Sequence, residues 1–425
     1  MLDCVMISAD QALRIVLENV TPIHPERIAL TAPLGRVLAE EIHSPRDIPA
    51  FDNSAMDGYA VRAADVAQAS ADNPIRLIVV ETVGAGVMPA RRVEPGQAIR
   101  TMTGAPIAAG ADAIVQVERT REAGGGAVEI LAPATSGQFV RPRGEDVKLG
   151  EPLMAPGRAL TPSDLGMLAS LNRAMLDVYR RPRVAIVATG DELVDIDTPP
   201  VGAQIVNSSA YALAGAIAEA GGEPVMLRIA RDRPEAVRER LEEALGCDVV
   251  LTTGGVSVGQ FDHVKVVMDE LGLRQHFHGV AQRPGKPLKF GTLRGRPVFG
   301  LPGNPVSTMV CFYLYVRPAL IKIGGRPAAG LPRATVRCAC DIRTAANLTE
   351  FVRVRLSRRD GEIYAAPTGN QSSGVLSSLS RADGLLIGPA ASEVLRAGDQ
   401  AEVLLLAPGA GADCATCFEP RLLRQ

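Results

Sequence analysis

The feature that most narrows the folds open to this chain is a change of rhythm near Arg183. From there, apolar runs at 184–188, 225–229 and 248–251 alternate with helical patterns at 208–222 and 234–245. Strands separated by helices at this spacing imply βαβ crossovers and a largely parallel sheet. The middle of the chain is therefore expected to be an α/β domain. Ligands of such sheets bind beyond the carboxyl ends of the strands. Segments 189–193, 231–232 and 252–262 fall there, and the three are expected to gather on one edge.

The flanks read differently. Ser8 and Gln11 have the spacing of a capping box, and Leu13, Val16, Leu17 and Val20 follow on one helical face, so a first helix is expected over about 9–20. Short apolar runs at 36–42, 75–83, 112–117 and 127–131, broken by Pro, Gly and Asp, then describe a small β-rich unit. Thr161, Pro162 and Asp164 start a second helix, ending near Asn172. The β-rich stretch reads as an insertion between two helical segments that pack together. Further on, Asn304 and Pro305 open a helix through Leu314 that is apolar almost all round and so expected to be buried. Beyond 324–327, alternation at 335–342 and 351–356 and an Asp360-Gly361 turn point to a C-terminal β-barrel or sandwich.

Composition excludes several function classes. Lys plus Arg number 45 against 47 Asp plus Glu, a net charge of −2, so no field of the whole molecule draws in nucleic acid or an anionic membrane. An anionic ligand must be held by cations placed locally. The N-terminal residues lack a basic start followed by an apolar block, and no run reads as a membrane span, which makes a cytoplasmic protein the expectation. Seven cysteines fit reduced thiols better than a disulfide framework. Cys338 with Cys340 and Cys414 with Cys417 could supply four thiolates to zinc, but the first pair is spaced by one residue where structural sites use two or more.

Four groups of residues carry chemistry. Segment 251–259 follows a strand and precedes a helix, and its glycines, Gly254 and Gly255 among them, let backbone N–H groups form a nest for phosphate or another oxyanion. A simple glycine turn has the same pattern. The same residues contain Gly255-x-Ser257-x-Gly259, the literal form of a hydrolase nucleophile elbow, with Asp262, His263, His276 and His278 downstream as partners for a triad. Asp57, Glu192, Asp232 and Asp262 lie at loop edges and offer the hard oxygens that suit Mg²⁺ bridging a phosphate substrate, although Asp232 before Pro234 is also a good helix N-cap. Finally, segment 282–289 spaces Arg283, Lys286 and Lys289 with Pro and Gly, a stiff frame for gripping a tetrahedral oxyanion. The corner at 301–305 adjoins it.

These residues resemble a known family. Phe51-Asp-Asn-Ser-Ala-Met-Asp-Gly-Tyr-Ala-Val-Arg62, Met102-Thr-Gly-Ala-Pro106, Arg143-Gly-Glu-Asp146, Thr189-Gly-Asp-Glu-Leu193, Gly254-Gly-Val-Ser-Val-Gly259, Pro284-Gly-Lys-Pro287 and Leu301-Pro-Gly-Asn-Pro305 are similar, in order, to signature segments of the molybdopterin molybdenumtransferases, the family that includes the E domain of gephyrin. The resemblance implies an α/β multidomain subunit. Its parts would be an elongated helical and β domain at 1–45 and 147–180, a β-rich inserted domain at 46–146, an α/β molybdopterin-binding domain at 181–328 and a C-terminal β-barrel-like domain at 329–425. It also implies a homodimer whose cleft draws on both subunits. The implied reaction takes adenylylated molybdopterin and molybdate, with Mg²⁺, to the molybdenum cofactor and AMP.

Carried over by resemblance, the important positions are Asp57, Thr103, Asp146, Glu192, Asp232, Ser257, Asp262, Arg283, Lys286, Pro302, Pro305, Arg353 and Ser373. Asp57 and Thr103 would reach the cleft from the partner subunit. Lys286, Arg353 and Ser373 would hold molybdate, and Asp262 with Glu192 or Asp232 would orient Mg²⁺ and the phosphoanhydride. Two departures stand out: many members have a Lys where this chain has Gly279 and another where it has Arg283, so charge survives at the second but not the first, and the anion site is weaker or completed by His278 or Lys289. The rival readings are a cofactor carrier or scaffold of the same fold and the serine hydrolase. Molybdate-dependent AMP release separates the enzyme from a carrier, and probe labelling of Ser257 would mark the hydrolase.

Overall fold

A computed structural model describes residues 6–254, 263–391 and 393–406. The chain divides into two compact units, one of Met1–Ala39, Gly157–Thr161 and Met175–Gln425, the other of Glu40–Pro156 with Pro162–Ala174. The expected segments 1–45 and 147–180 are thus shared between the units.

The first unit is built on a six-stranded sheet. Its strands are β1 (Arg183–Ala188), β2 (Glu223–Met226), β3 (Val249–Thr253), β4 (Arg274–His278), β5 (Lys289–Leu293) and β6 (Arg296–Leu301), in the order β2-β1-β3-β6-β5-β4. The first four in that order are parallel, and β5 runs antiparallel to both its neighbours, β6 and β4. The sheet is more mixed than its sequence rhythm suggests. The reason is Arg294-Gly295, both at positive φ: a two-residue turn of this kind joins only antiparallel neighbours.

Helices cover both faces, because β1 and β3 are apolar on both. Val184, Ile186, Val249 and Leu251 join one core with α1 (Ala9–Glu18), α2 (Ser208–Glu219) and α5 (Pro305–Ile323). Ala185, Val187 and Val250 join another with α3 (Pro234–Ala244) and α4 (His263–Glu270). The Ser8 capping box on α1 is present as expected, with both reciprocal bonds made. Helix α1 packs on α5, whereas the helix Pro162–Ser170 belongs to the second unit. The two segments read as packing together are therefore not what closes the insertion. Within the first unit that role falls to the antiparallel strands Pro25–Ala29 and Met175–Tyr179.

Helix α5 continues past Leu314 to Ile323 because its turn widens to a π turn at Phe312–Val316, just before Pro318. Proline removes the bond to the carbonyl four residues back and crowds it, and a wider turn relieves both problems. Length and apolarity alone would let α5 cross a membrane, but most of it is buried in the first unit.

The C-terminal strands close on themselves. Thr349–Arg359 pairs with Glu362–Pro367 and Gly384–Gly388, while Gln400–Leu405 pairs with Arg333–Cys338 and Gly384–Gly388. Pairing of Arg333–Cys338 with Glu362–Pro367 completes a five-stranded barrel. Asp360-Gly361, both at positive φ, forms the expected hairpin turn. A short strand, Gln282–Arg283, pairs with Thr349–Glu350 and so pins the α/β domain to the barrel beside the basic segment.

The second unit holds its own six-stranded sheet, in the order Ala113–Gln116, Gly58–Val61, Gln97–Thr101, Ile75–Val83, Ala127–Ile130, Thr120–Glu122. Alternate residues bury on its two faces, Tyr59 and Val61 in one core and Ala60 and Ile99 in the other.

Candidate active site

Three parallel strands end side by side, so the residues just beyond their ends form one rim: Thr189 after β1, Gly254 after β3 and Pro302 after β6. The rim is tied by hydrogen bonds from Thr189 N–H to the Thr253 carbonyl, 3.2 Å, and from Gly190 N–H to the Ala230 carbonyl, 3.2 Å. The gathering expected for 189–193 and 231–232 is observed. At Gly254, φ is +88° and a Cβ would lie 3.0 Å from the Thr189 carbonyl oxygen, so only glycine fits.

This rim opens into a cleft with two lobes sharing one wall, the corner at 302–305 with the segment 373–374. One lobe, of about 610 Å³, is lined by Thr189, Glu192, Asn207, Ser208, Gly254 and Pro305, among others. The other, of about 570 Å³, lies where the α/β domain meets the barrel and is lined by Arg283, Lys286, Pro302, Asn304, Asn370 and Ser373, among others. Asn304 reaches both lobes.

In the 610 Å³ lobe the N-termini of α2 and α5 converge, bringing the positive ends of two helix dipoles to one space. That combination suits phosphate. At its rim Asp232 does not cap α3: the N-cap is Arg233, without a side-chain bond. Instead Asp232 N–H donates to Asp191 Oδ1 at 3.2 Å, and Asp191 N–H donates to Asp232 Oδ2 at 3.4 Å. Asp191, not singled out in the sequence, is thus tied to Asp232 next to Glu192, the acidic residue that lines the lobe. Gly255, Ser257 and Asp262 lie outside the described residues. Among the described residues, no group of three or more His, Cys, Asp or Glu side chains could hold a metal.

In the 570 Å³ lobe the charge is positive. Arg283 and Lys286 are exposed, and Arg283 Nε sits 3.7 Å from the buried Glu350 carboxylate. The Ser373 hydroxyl accepts from Asn304 Nδ2 at 3.0 Å, and its carbonyl accepts from Val306 N–H at 3.1 Å, fastening the barrel loop to the start of α5. Arg353, expected to hold the oxyanion, is only 1% exposed. Its guanidinium donates to Ser378 Oγ and the Ser372 carbonyl, each at 3.3 Å, and its backbone exchanges bonds with the Gln371 amide at 2.9 and 3.1 Å. Burial lowers its pKa, Glu350 opposes that shift, and Arg283 adds to it. Arg353 therefore supports the loop from behind.

The chain has Gly279 where many relatives carry Lys, and neither proposed substitute reaches this lobe. Lys289, 2% exposed, projects to the α4 face and pairs with Asp269 at 3.4 Å. His278, opposite it on β4, is likewise absent from the lining. Strand alternation explains the miss for Lys289: Leu288 and Phe290 occupy the core on the other face.

In the second unit, Thr103 donates its N–H and its hydroxyl to Asp57 Oδ1, at 2.6 and 2.8 Å. These bonds, the backbone one first, hold the exposed Asp57 carboxyl below its ordinary pKa. Two positions 46 residues apart, both carried over by the family resemblance, thus form one group. Asp146 is exposed at the end of a loop fixed by Arg143 N–H donating to Asp52 at 2.7 Å.

Other candidates lose their functional reading. His276 bonds Thr292 at 2.8 Å and stacks on Phe290, away from both lobes. Cys338 is buried and Cys340 exposed, while Cys414 and Cys417 lie outside the described residues. A separate cavity of about 270 Å³, lined by Arg36, Arg180, Arg181 and Arg326, abuts the last turns of α2 and α5. Cations there complement the negative ends of the helices.

Three family models match successive parts of the chain: the MoeA N-terminal region (domain I and II) at residues 7–172, a probable molybdopterin binding domain at 185–322, and the MoeA C-terminal region (domain IV) at 335–406. The molybdopterin molybdenumtransferase of a Nostoc species is 38% identical over 90% of this chain and 88% of its own length. That of Bacillus subtilis is 34% identical over 96% of each. Among solved structures, the molybdopterin biosynthesis MoeA protein of Pyrococcus horikoshii matches with a TM-score of 0.84 and 34% identity, covering 95% of this chain and all of that one (100%).

Proposed function

Because this chain belongs to the molybdopterin molybdenumtransferase family, we propose that it inserts molybdenum from molybdate into adenylylated molybdopterin, releasing AMP. The observation that carries this reading is the divided cleft, with one lobe of helix N-termini and the other of exposed cations on either side of the 302–305 corner. Such a wall lets two anionic reactants be held together without merging their charge. The phosphate-bearing nucleotide suits the lobe at the start of α2 and α5, where the positive ends of the helix dipoles stand in for side-chain cations. Molybdate, a tetrahedral dianion, suits Arg283, Lys286 and the Ser373 hydroxyl.

Glu192 in the lining, with Asp232 bonded to the neighbouring Asp191, offers hard oxygens that fit Mg²⁺, which takes only one or two carboxylates with substrate oxygens. When bound, the ion neutralises charge on the phosphoanhydride. The chain's own task is placement: dipoles and cations hold the reactants in line, so no covalent nucleophile is required. A second copy would complete the cleft by presenting Asp57, ionised through Thr103, and Asp146.

The test is to incubate the purified protein with adenylylated molybdopterin, Mg²⁺ and molybdate and to follow AMP and active cofactor together. AMP appearing only with molybdate is the expected result. Binding of the nucleotide with no molybdate-dependent AMP would replace this reading with that of a carrier.

A further inference from the structure

Beneath the basic lobe lies a polar network that no charge or ligand accounts for. Gln282 is 0% exposed, Tyr315 1% and Cys311 0%. The Tyr315 hydroxyl donates to Gln282 Oε1. Gln282 Nε2 donates to the Pro284 carbonyl at 3.0 Å and lies 3.7 Å from Cys311 Sγ. Cys311, kept protonated by burial, donates to the Gly285 carbonyl at 3.6 Å. Each polar group ends on the backbone between Arg283 and Lys286.

The fit is close enough to exclude alternatives. Gly285 has φ +96°, and a Cβ there would lie 2.5 Å from Cys311 Sγ and 2.6 Å from Gln282 Nε2. Cys311 immediately precedes the π turn of α5 and Tyr315 lies within it, so the turn that accommodates Pro318 also sets the phase at which Tyr315 meets Gln282. An apolar core could fill this space without any hydrogen bond, and fully buried polar networks specify geometry more than they add stability. What this one specifies is the inward direction of the Pro284 and Gly285 carbonyls. Arg283 and Lys286 on either side are then left facing the lobe.

We infer that Gln282 and Tyr315 are positioning residues for the oxyanion grip: acting through the backbone, they set the affinity for a tetrahedral dianion that neither touches. This inference rests on the assignment of molybdate to the basic lobe. The test uses the full-length protein and direct titration with molybdate, read by calorimetry, beside the AMP assay. Tyr315→Phe removes one oxygen and is expected to weaken molybdate binding by about tenfold, raising its half-saturating concentration while kcat at saturation and nucleotide affinity hold.

The double variant Gln282→Leu/Tyr315→Phe replaces both partners of the Tyr–Gln bond with apolar groups but leaves the Pro284 carbonyl without Gln282, so it is expected to recover part of the thermal stability lost in Tyr315→Phe and none of the molybdate affinity. Recovery of both together would assign the network to stability and overturn the inference, as would failure of the double variant to fold. Wild-type protein that binds molybdate while Tyr315→Phe binds it equally well sinks the inference alone. Wild-type protein that binds no molybdate sinks the underlying assignment as well.

Discussion

The two lobes of the cleft solve the same problem with different materials. One meets negative charge with backbone, the helix dipoles at the first turns of α2 and α5. The other meets it with side chains, Arg283 and Lys286, on a loop whose carbonyls are anchored from behind. Dipoles fixed in helices need no further support, because the helix itself is the scaffold. Long flexible cations do, and the side-chain lobe is backed by the buried side chains of Gln282, Tyr315, Cys311 and Arg353. Preorganisation is concentrated where conformational freedom is greatest.

The contrast breaks most sharply on metal removal. Glu192 lines the backbone lobe alone, so chelating Mg²⁺ is expected to lower AMP release by more than about a hundredfold. Molybdate binding in calorimetry should change by less than about twofold. Equal losses in both measurements would place the metal at the shared wall and merge the lobes.

Next in size is Lys286→Ala. A charge-assisted bond to an oxyanion contributes about 1.5–3 kcal/mol, so molybdate affinity should fall about tenfold to a hundredfold, with nucleotide affinity nearly unchanged. Because Lys286 is exposed, the wild-type affinity should also decline with ionic strength more steeply than that for the nucleotide. Gly254→Ala probes the other side. Its strained φ and the contact with Thr189 should narrow the backbone lobe and cost about 1–2 kcal/mol, read as about tenfold weaker nucleotide binding with molybdate binding intact.

Much of this contrast was legible in the chain itself. Ser8 with Gln11, the helices at 208 and 234 and the turn at 360–361 are local, their signals lying within a few residues, and all form as read. Gly254, Arg283 and Lys286 announced themselves because a glycine after a strand and cations among prolines are local patterns too. The support behind them was hidden for a physical reason. Gln282 and Tyr315 are 33 positions apart, and Asn304 and Ser373 are 69 apart, so only tertiary structure brings them together. A lone Gln or Tyr reads as a solvated side chain until its burial is known. Lys289 misled in the opposite direction, since its basic neighbours concealed the strand alternation that turns it toward Asp269.

The smallest effect concerns the wall between the lobes. Ser373 Oγ accepts from Asn304 Nδ2, which leaves its hydroxyl hydrogen available to donate into the basic lobe. Ser373→Ala removes both possibilities at a half-buried position, so the loss should be about 1 kcal/mol, about fivefold in affinity. If the hydroxyl donates to molybdate, that loss falls on molybdate alone, and Asn304→Ala does not reproduce it. If the residue serves only to tie the barrel loop to α5, both variants weaken both ligands alike and the double variant is no worse than either single one. A double-mutant cycle read with each ligand in turn separates the two cases, because Asn304 is the one side chain among the described residues that lines both lobes.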